Sequence, residues 1–167
     1  MPRPAPQPHR HAAPLPLTEE ALRGAYGASR VSQARRAIAE AAVAMSGAFT
    51  VEDLHAHLVR TARGVGLATV YRAIAAMLGS GFLATVGTRS GIALYARCAG
   101  GDHHHHLVCT GCGTVAAVDC PLDRAVLAAA GRAGYTITDH EVVLYGLCGA
   151  CDDSPAPARP APRGGER

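Results

Sequence analysis

The sequence has no lysine, no apolar run near the ~20 residues that a bilayer-spanning helix needs, and charge at only 17% of its 167 positions. The missing run excludes a helical membrane protein. The missing lysine makes all 16 basic residues arginines, planar bidentate donors that suit phosphates and guanine edges. Nor do the first residues, MPRPAPQPHRHAAPLPL, hold the continuous apolar core of a secretory signal, and proline recurs too often in them for a transit helix. The expected location is the cytoplasm. Proline is otherwise scarce, since 10 of the 11 lie within residues 2–16 or 155–162. The ends, 1–16 and 153–167, therefore read as disordered Pro-rich tails, and the folding unit runs from about 17 to 152, too short for one large enzyme core.

Charge and pattern divide that unit in two. Residues 17–98 carry nine arginines against five acids and residues 99–151 two against five, so the first half is the one expected to meet a polyanion. Its pattern predicts helices over 19–27 and from about Gln33 to Met45, the second capped by Ser32, and a third opened by Thr50 with Asp53 as an approximate capping box. A fourth, from Leu67 or Ala68, turns Val70, Ile74, Met77 and Leu78 inward, leaves Thr69, Tyr71 and Arg72 near its outward N-terminal side, and stops at Gly79-Ser80-Gly81. Two β-like runs follow, Phe82 to Val86 and Ile92 to Tyr95, joined through Gly87 to Gly91. Helices followed by a hairpin is the order of a winged helix-turn-helix; a bundle with an incidental hairpin is the alternative. Beyond Cys98 strands are expected at His106 to Cys109, Thr114 to Val118 and Glu141 to Leu147, with a helix from Pro121 to about Ala133. The class is α+β, and the second piece is too small to be secure without metal or a partner chain.

All six cysteines and five of the nine histidines fall between 98 and 151. Cys109-Thr-Gly-Cys112-Gly113 and Cys148-Gly-Ala-Cys151 are two Cys-x-x-Cys pairs. Two intervening residues let both thiolates turn to one tetrahedral ion, Gly113 allows the tight backbone of a metal knuckle, and two pairs complete an S4 zinc site. The 35 residues between the pairs make that ion a clamp from the start of the piece to its end. Disulfides are the alternative, disfavoured by a cytoplasmic address. Cys120, beside Pro121, reads as a free, semi-buried thiol without a role. The run His103 to His106 passes straight into Leu107-Val108-Cys109. An extended chain sends His103 and His105 to one face and His104 and His106 to the other, so one strand can feed two metal sites, with Cys98 upstream and His140 downstream. A solvated linker that binds metal adventitiously is the alternative.

Taken together, Gly66-Leu-Ala-Thr-Val-Tyr-Arg72, Tyr95, His103 to Gly113 and Tyr145-Gly146-Leu-Cys148 resemble the Fur (ferric uptake regulator) family of metal-sensing bacterial repressors over roughly 17–152. The resemblance implies a winged-helix DNA-binding domain at 17–97, a hinge at 98–103 and an α/β dimerisation domain at 104–152. It implies a homodimer that grips a palindromic double-stranded operator when its regulatory site holds metal. Matched residue by residue, Cys109, Cys112, Cys148 and Cys151 correspond to structural zinc ligands, and His104 and His106 to regulatory ligands. Cys98 is similar to a regulatory thiolate of the zinc uptake regulator branch, whereas iron sensors have a glutamate where this chain has Ala96. His103, His105 and His140 match a further site completed by a helix carboxylate, for which Asp123 is the available acid.

One departure stands out: Phe82-Leu-Ala84 offers no ligand on the first wing strand, which leaves the fourth place of the regulatory site to water, Asp102, His55 or His57. A thiolate with two imidazoles suits zinc better than iron(II) or manganese. On DNA, the fourth helix is expected in the major groove, with Thr69 and Tyr71 at its outward side and Arg72 on a guanine edge. Arg35 is expected on backbone phosphate and Arg89 at the wing tip. The competing readings are an iron, nickel or peroxide sensor of the same family and, from another class, a zinc hydrolase or deaminase, which needs a general base beside the metal.

Overall fold

The structure, a computed structural model, describes residues 17–27, 30–61, 64–98, 103–122 and 124–152. Both expected tails and most of the expected hinge lie outside the described residues. Four helices come first: α1 (Glu19–Gly24), α2 (Gln33–Ala44), α3 (Val51–Arg60) and α4 (Leu67–Gly79). Short polar side chains start three of them. Thr18 accepts from the Ala21 amide, Ser32 from the Arg35 amide, and Thr50 and Asp53 exchange both bonds of a capping box at 3.0 Å. Gly66 precedes α4 with no side-chain cap. The apolar stripes meet in one core of Leu22, Ile38, Phe49, Leu54, Leu58, Val70, Ile74, Met77 and Leu83, each at most 2% exposed. Each such side chain contributes roughly 1.5–3 kcal/mol of transfer free energy.

The wing is the antiparallel pair β1 (Leu83–Arg89) and β2 (Ile92–Arg97). Its strands are longer and its tip tighter than the pattern suggested, because Ser90 and Gly91, both at positive φ, turn the chain in two residues. A bulge falls between Thr85 and Gly87, and the Phe49 and Tyr95 backbones bond each other at the helical core.

The second piece is a three-stranded sheet in the order β4-β3-β5, with β3 (His105–Cys109) central, β4 (Val115–Val118) antiparallel to it and β5 (Val143–Gly146) parallel. A parallel neighbour needs a crossover, which the segment containing α5 (Arg124–Gly131) supplies, and the turn α6 (Gly149–Asp152) follows β5. Two expectations are corrected. Pro121 lies outside α5 rather than in its first turn, and β5 begins at Val143 because Val142 is occupied with His105.

Alternate residues of β3 face opposite ways. Val108 packs with Val86 and Ala96 of the wing, so the even-numbered face looks toward the helical part. Tyr145 reaches across the same gap to donate its hydroxyl to the Val86 carbonyl at 3.2 Å. Nearby the Ala48 amide donates to the Gly113 carbonyl at 2.9 Å. Both contacts need glycine: a Cβ on Gly47 would stand 2.6 Å from Gly113 O, and one on Gly87, at φ 127°, would meet the Tyr145 hydroxyl.

Candidate metal centres and nucleic-acid face

Three groups of metal-ligand atoms converge among the described residues, each with its donors within 4.8 Å of one another. The first is Cys109, Cys112, Cys148 and Cys151. The end of β3 presents Cys109, the turn closed by Gly113 at φ 78° presents Cys112, and α6 carries Cys151. Gly111 is pressed against Cys151, where a Cβ would lie 2.8 Å from Sγ. Burial pushes the Cys109 thiol up, but amides of Cys112 and Cys148 aimed at its sulfur outweigh that and bring it down to about 6. Cys151 goes the other way, to about 12, chiefly through its hydrogen bond with Cys148. Four crowded sulfurs sharing protons in this manner suit a dication that displaces them all, and the donor set fits zinc.

The second group is Cys98, His104 and His106. Cys98 directly follows the last wing strand and the two histidines stand at the start of β3, with Cys98 Sγ 3.8 Å from His106 Nε2. Burial, and then the Glu141 carboxylate, push the Cys98 thiol up; burial pushes the His106 ring down. At neutral pH these are a thiol and a neutral imidazole, so a cation binding here displaces the thiol proton and finds the imidazole ready. Asp102 lies outside the described residues. Neither His55 nor His57 joins the group: His55 Nε2 sits 3.1 Å from the Val65 carbonyl in its own helical unit.

The third group lies on the opposite, odd-numbered face: His103, His105, His140 and Cys120. His103 Nε2 is 2.9 Å from His105 Nε2 and 2.8 Å from His140 Nε2, and Cys120 Sγ is 3.1 Å from His140 Nε2. Cys120 is a free, half-buried thiol as expected, and its sulfur lies within this group; Asp123 falls outside the described residues. Only the observed strand register places Cys120 there: continuing the antiparallel pairing two residues past His105↔Val118 brings it opposite His103. His105 is 1% exposed, and its Nδ1 accepts the Val142 amide at 3.1 Å. The neutral ring then carries its proton on Nε2 and donates toward His103; an ion taking Nε2 would displace that proton and require the Val142 contact to give way.

The residues expected on DNA belong to α2, α4 and β1. Tyr71 is 49% exposed on the first turns of α4, its hydroxyl donating to Glu52 at 2.9 Å. Arg72 is exposed beside it, with a long 3.5 Å contact to the Thr69 hydroxyl. Arg35, at the start of α2, stacks over Tyr26 and bonds the Arg30 carbonyl. Arg89 is held at 2.7 Å by Asp53 of the α3 capping box, just below the turn at Ser90 and Gly91 rather than at the tip itself.

A winged helix-turn-helix joined to a small sheet that carries thiol and imidazole clusters defines a metal-responsive DNA-binding regulator. The ferric uptake regulator family model matches residues 27–145, and the chain belongs to that family. It is 36% identical over 103 residues to the ferric uptake regulation protein of Bordetella parapertussis, covering 61% of this chain and 73% of that one. It is 32% identical over 124 residues to the zinc uptake regulation protein of Mycobacterium tuberculosis, covering 73% and 94%. Among solved structures, the Vibrio cholerae ferric uptake regulator superposes with a TM-score of 0.53 at 27% identity, over 77% of this chain and 98% of that one. A zinc uptake regulator complexed with zinc and DNA reaches 0.62 at 24% identity, over 74% and 84%, a likeness of fold. Proteins of this family are transcription regulators, so the hydrolase alternative is set aside.

Proposed function

We propose that this protein is a zinc-responsive transcriptional repressor of the bacterial cytoplasm. It binds a palindromic operator as a homodimer when Cys98, His104 and His106 hold zinc, while Cys109, Cys112, Cys148 and Cys151 hold a structural zinc. The observation that carries the reading is where the Cys98 group sits. Its thiol ends the wing and its imidazoles open β3, so one ion would tie the reader, 17–97, across a hinge at 98–103 to the second domain, 104–152. Such an ion stabilises only the arrangement that brings its ligands together, which biases the angle between the two parts. One sulfur and two nitrogens favour zinc over manganese or iron(II).

In this reading α4 enters the major groove. Its first-turn amides have no side-chain cap, Tyr71 lies against thymine methyls or a phosphate, and Arg72 reads a guanine. Arg35 and Thr69 contact the backbone, and Arg89 exchanges Asp53 for a phosphate. The dimer is supported by apolar side chains left exposed on the second part, among them Leu107, Leu144 and Ile137. Iron, nickel or peroxide response within the same family is the alternative. Operator binding titrated against free zinc, iron(II), nickel and manganese separates these. Zinc is expected to act at the lowest concentration, and Cys98→Ser to abolish the response while retaining the zinc of the four cysteines. Tight operator binding by protein holding only the four-cysteine zinc would overturn the proposal.

A further inference from the structure

The cluster on the outer face of the sheet differs from the hinge group in position and in what it joins. We propose that the site the family resemblance implies at His103, His105 and His140 takes Cys120 as a ligand in this chain, and that this thiolate makes it a soft-ion site that takes zinc and discriminates against hard ions such as manganese. This goes beyond the hinge reading and does not depend on it, because the two groups use opposite faces of β3.

The sheet itself aligns the donors. Continuing the antiparallel register past His105↔Val118 sets Cys120 opposite His103, and continuing the parallel register back from His106↔Val143 sets His140 level with the same His103. Residues in register across neighbouring strands share a face, so three chain segments bring one donor each to a single line, and His105, two residues on, adds the fourth. The observed atoms agree: His140 Nε2 lies 2.8 Å from His103 Nε2 and 3.1 Å from Cys120 Sγ. A tetrahedral ion with metal–nitrogen bonds of about 2.0–2.1 Å holds its nitrogens about 3.3 Å apart, so loading asks for an expansion of roughly half an ångström. Cys120 also donates a weak S–H···O hydrogen bond to the Leu122 carbonyl at 3.7 Å, which uses the thiol proton that a bound ion would displace.

Chemistry sets the selectivity. Three imidazoles and a carboxylate accept hard and borderline ions alike, whereas a thiolate in the fourth place strengthens zinc and cobalt(II) far more than manganese. Binding releases the thiol proton to solvent and involves no change of oxidation state.

Cobalt(II) reports on sulfur ligation through its thiolate charge-transfer absorption. The full chain carrying Cys98→Ser, with zinc retained at the four cysteines, is titrated with cobalt(II). One equivalent is expected to bind with a thiolate band, and added Cys120→Ser to remove the band and weaken binding at least tenfold. Cys120→Asp, which keeps a ligand there, is expected to restore one equivalent without the band and to narrow the preference for cobalt over manganese. In the unsubstituted chain, zinc beyond the first equivalent is expected to protect Cys120 from alkylation, read by peptide mass. A titration without a thiolate band, a band that survives Cys120→Ser, or alkylation of Cys120 indifferent to zinc overturns the proposal. None of these readouts involves DNA, so failure of the hinge sensor would show only in operator binding.

Discussion

Arg72 is the single side chain on which sequence readout turns. It stands exposed on the second turn of α4, and its weak contact to Thr69 leaves the guanidinium available for a guanine edge. Arg72→Ala is expected to weaken operator binding by ~1–3 kcal/mol, with a much smaller loss on random DNA and unchanged zinc content. Equal losses on the two DNAs, by fluorescence anisotropy, would assign Arg72 to backbone contact. Arg89 sits differently, because its partner Asp53 also caps α3. The sequence placed this arginine at a wing tip without showing that the hairpin folds back so that a carboxylate 36 positions away lies within reach.

At the scale of elements, the caps of α2 and α3 and the stripes of α2, α3 and α4 were legible because they depend on neighbours one to four residues apart. The Thr50–Asp53 box has a pH signature. Burial pushes the Asp53 carboxyl up, and the Thr50 amide together with Arg89 more than offsets this, holding its pKa below the ordinary 3.8. A depressed acid contributes stability above its unfolded value and loses it as pH falls through the folded one. Asp53→Asn is therefore expected to destabilise by about 1 kcal/mol or less near neutrality, given its partial exposure. The difference from the parent should shrink below pH 3.8 and vanish in stronger acid, as followed by urea unfolding at several pH values. A difference independent of pH would mean that the cap works through shape rather than charge. The strand elements were less legible. β5 was read too long, and α5 was started at Pro121, because helix onset after a proline depends on what the following residues pack against.

Across the whole molecule, the two parts touch through backbone as well as side chains. The Gly47 Cα faces the Gly113 carbonyl of the Cys112 turn so closely that a Cβ would stand 2.6 Å from it, and neither backbone has a flexible end to move aside. Gly47→Ala is expected to push the four-cysteine turn away from the connection between α2 and α3. The proposed zinc-dependent gain in operator affinity should fall severalfold, while the zinc bound per chain and the thermal midpoint of the helical part stay near parental values. An unchanged zinc response in the same anisotropy titration would show that this contact does not transmit the domain angle.

The sequence by itself determined the capped helices of the first part, the two Cys-x-x-Cys pairs and the split of the histidine run into two faces, since each follows from spacing along one short segment. Tertiary structure alone decided which distant groups share a cluster. Cys98 meets His106 because Val108 packs the even face of β3 on the wing, and Cys120 meets His140 because an antiparallel and a parallel neighbour hold their registers on either side of one strand. Strand order and register are set by packing across the sheet, which spacing along the chain does not encode.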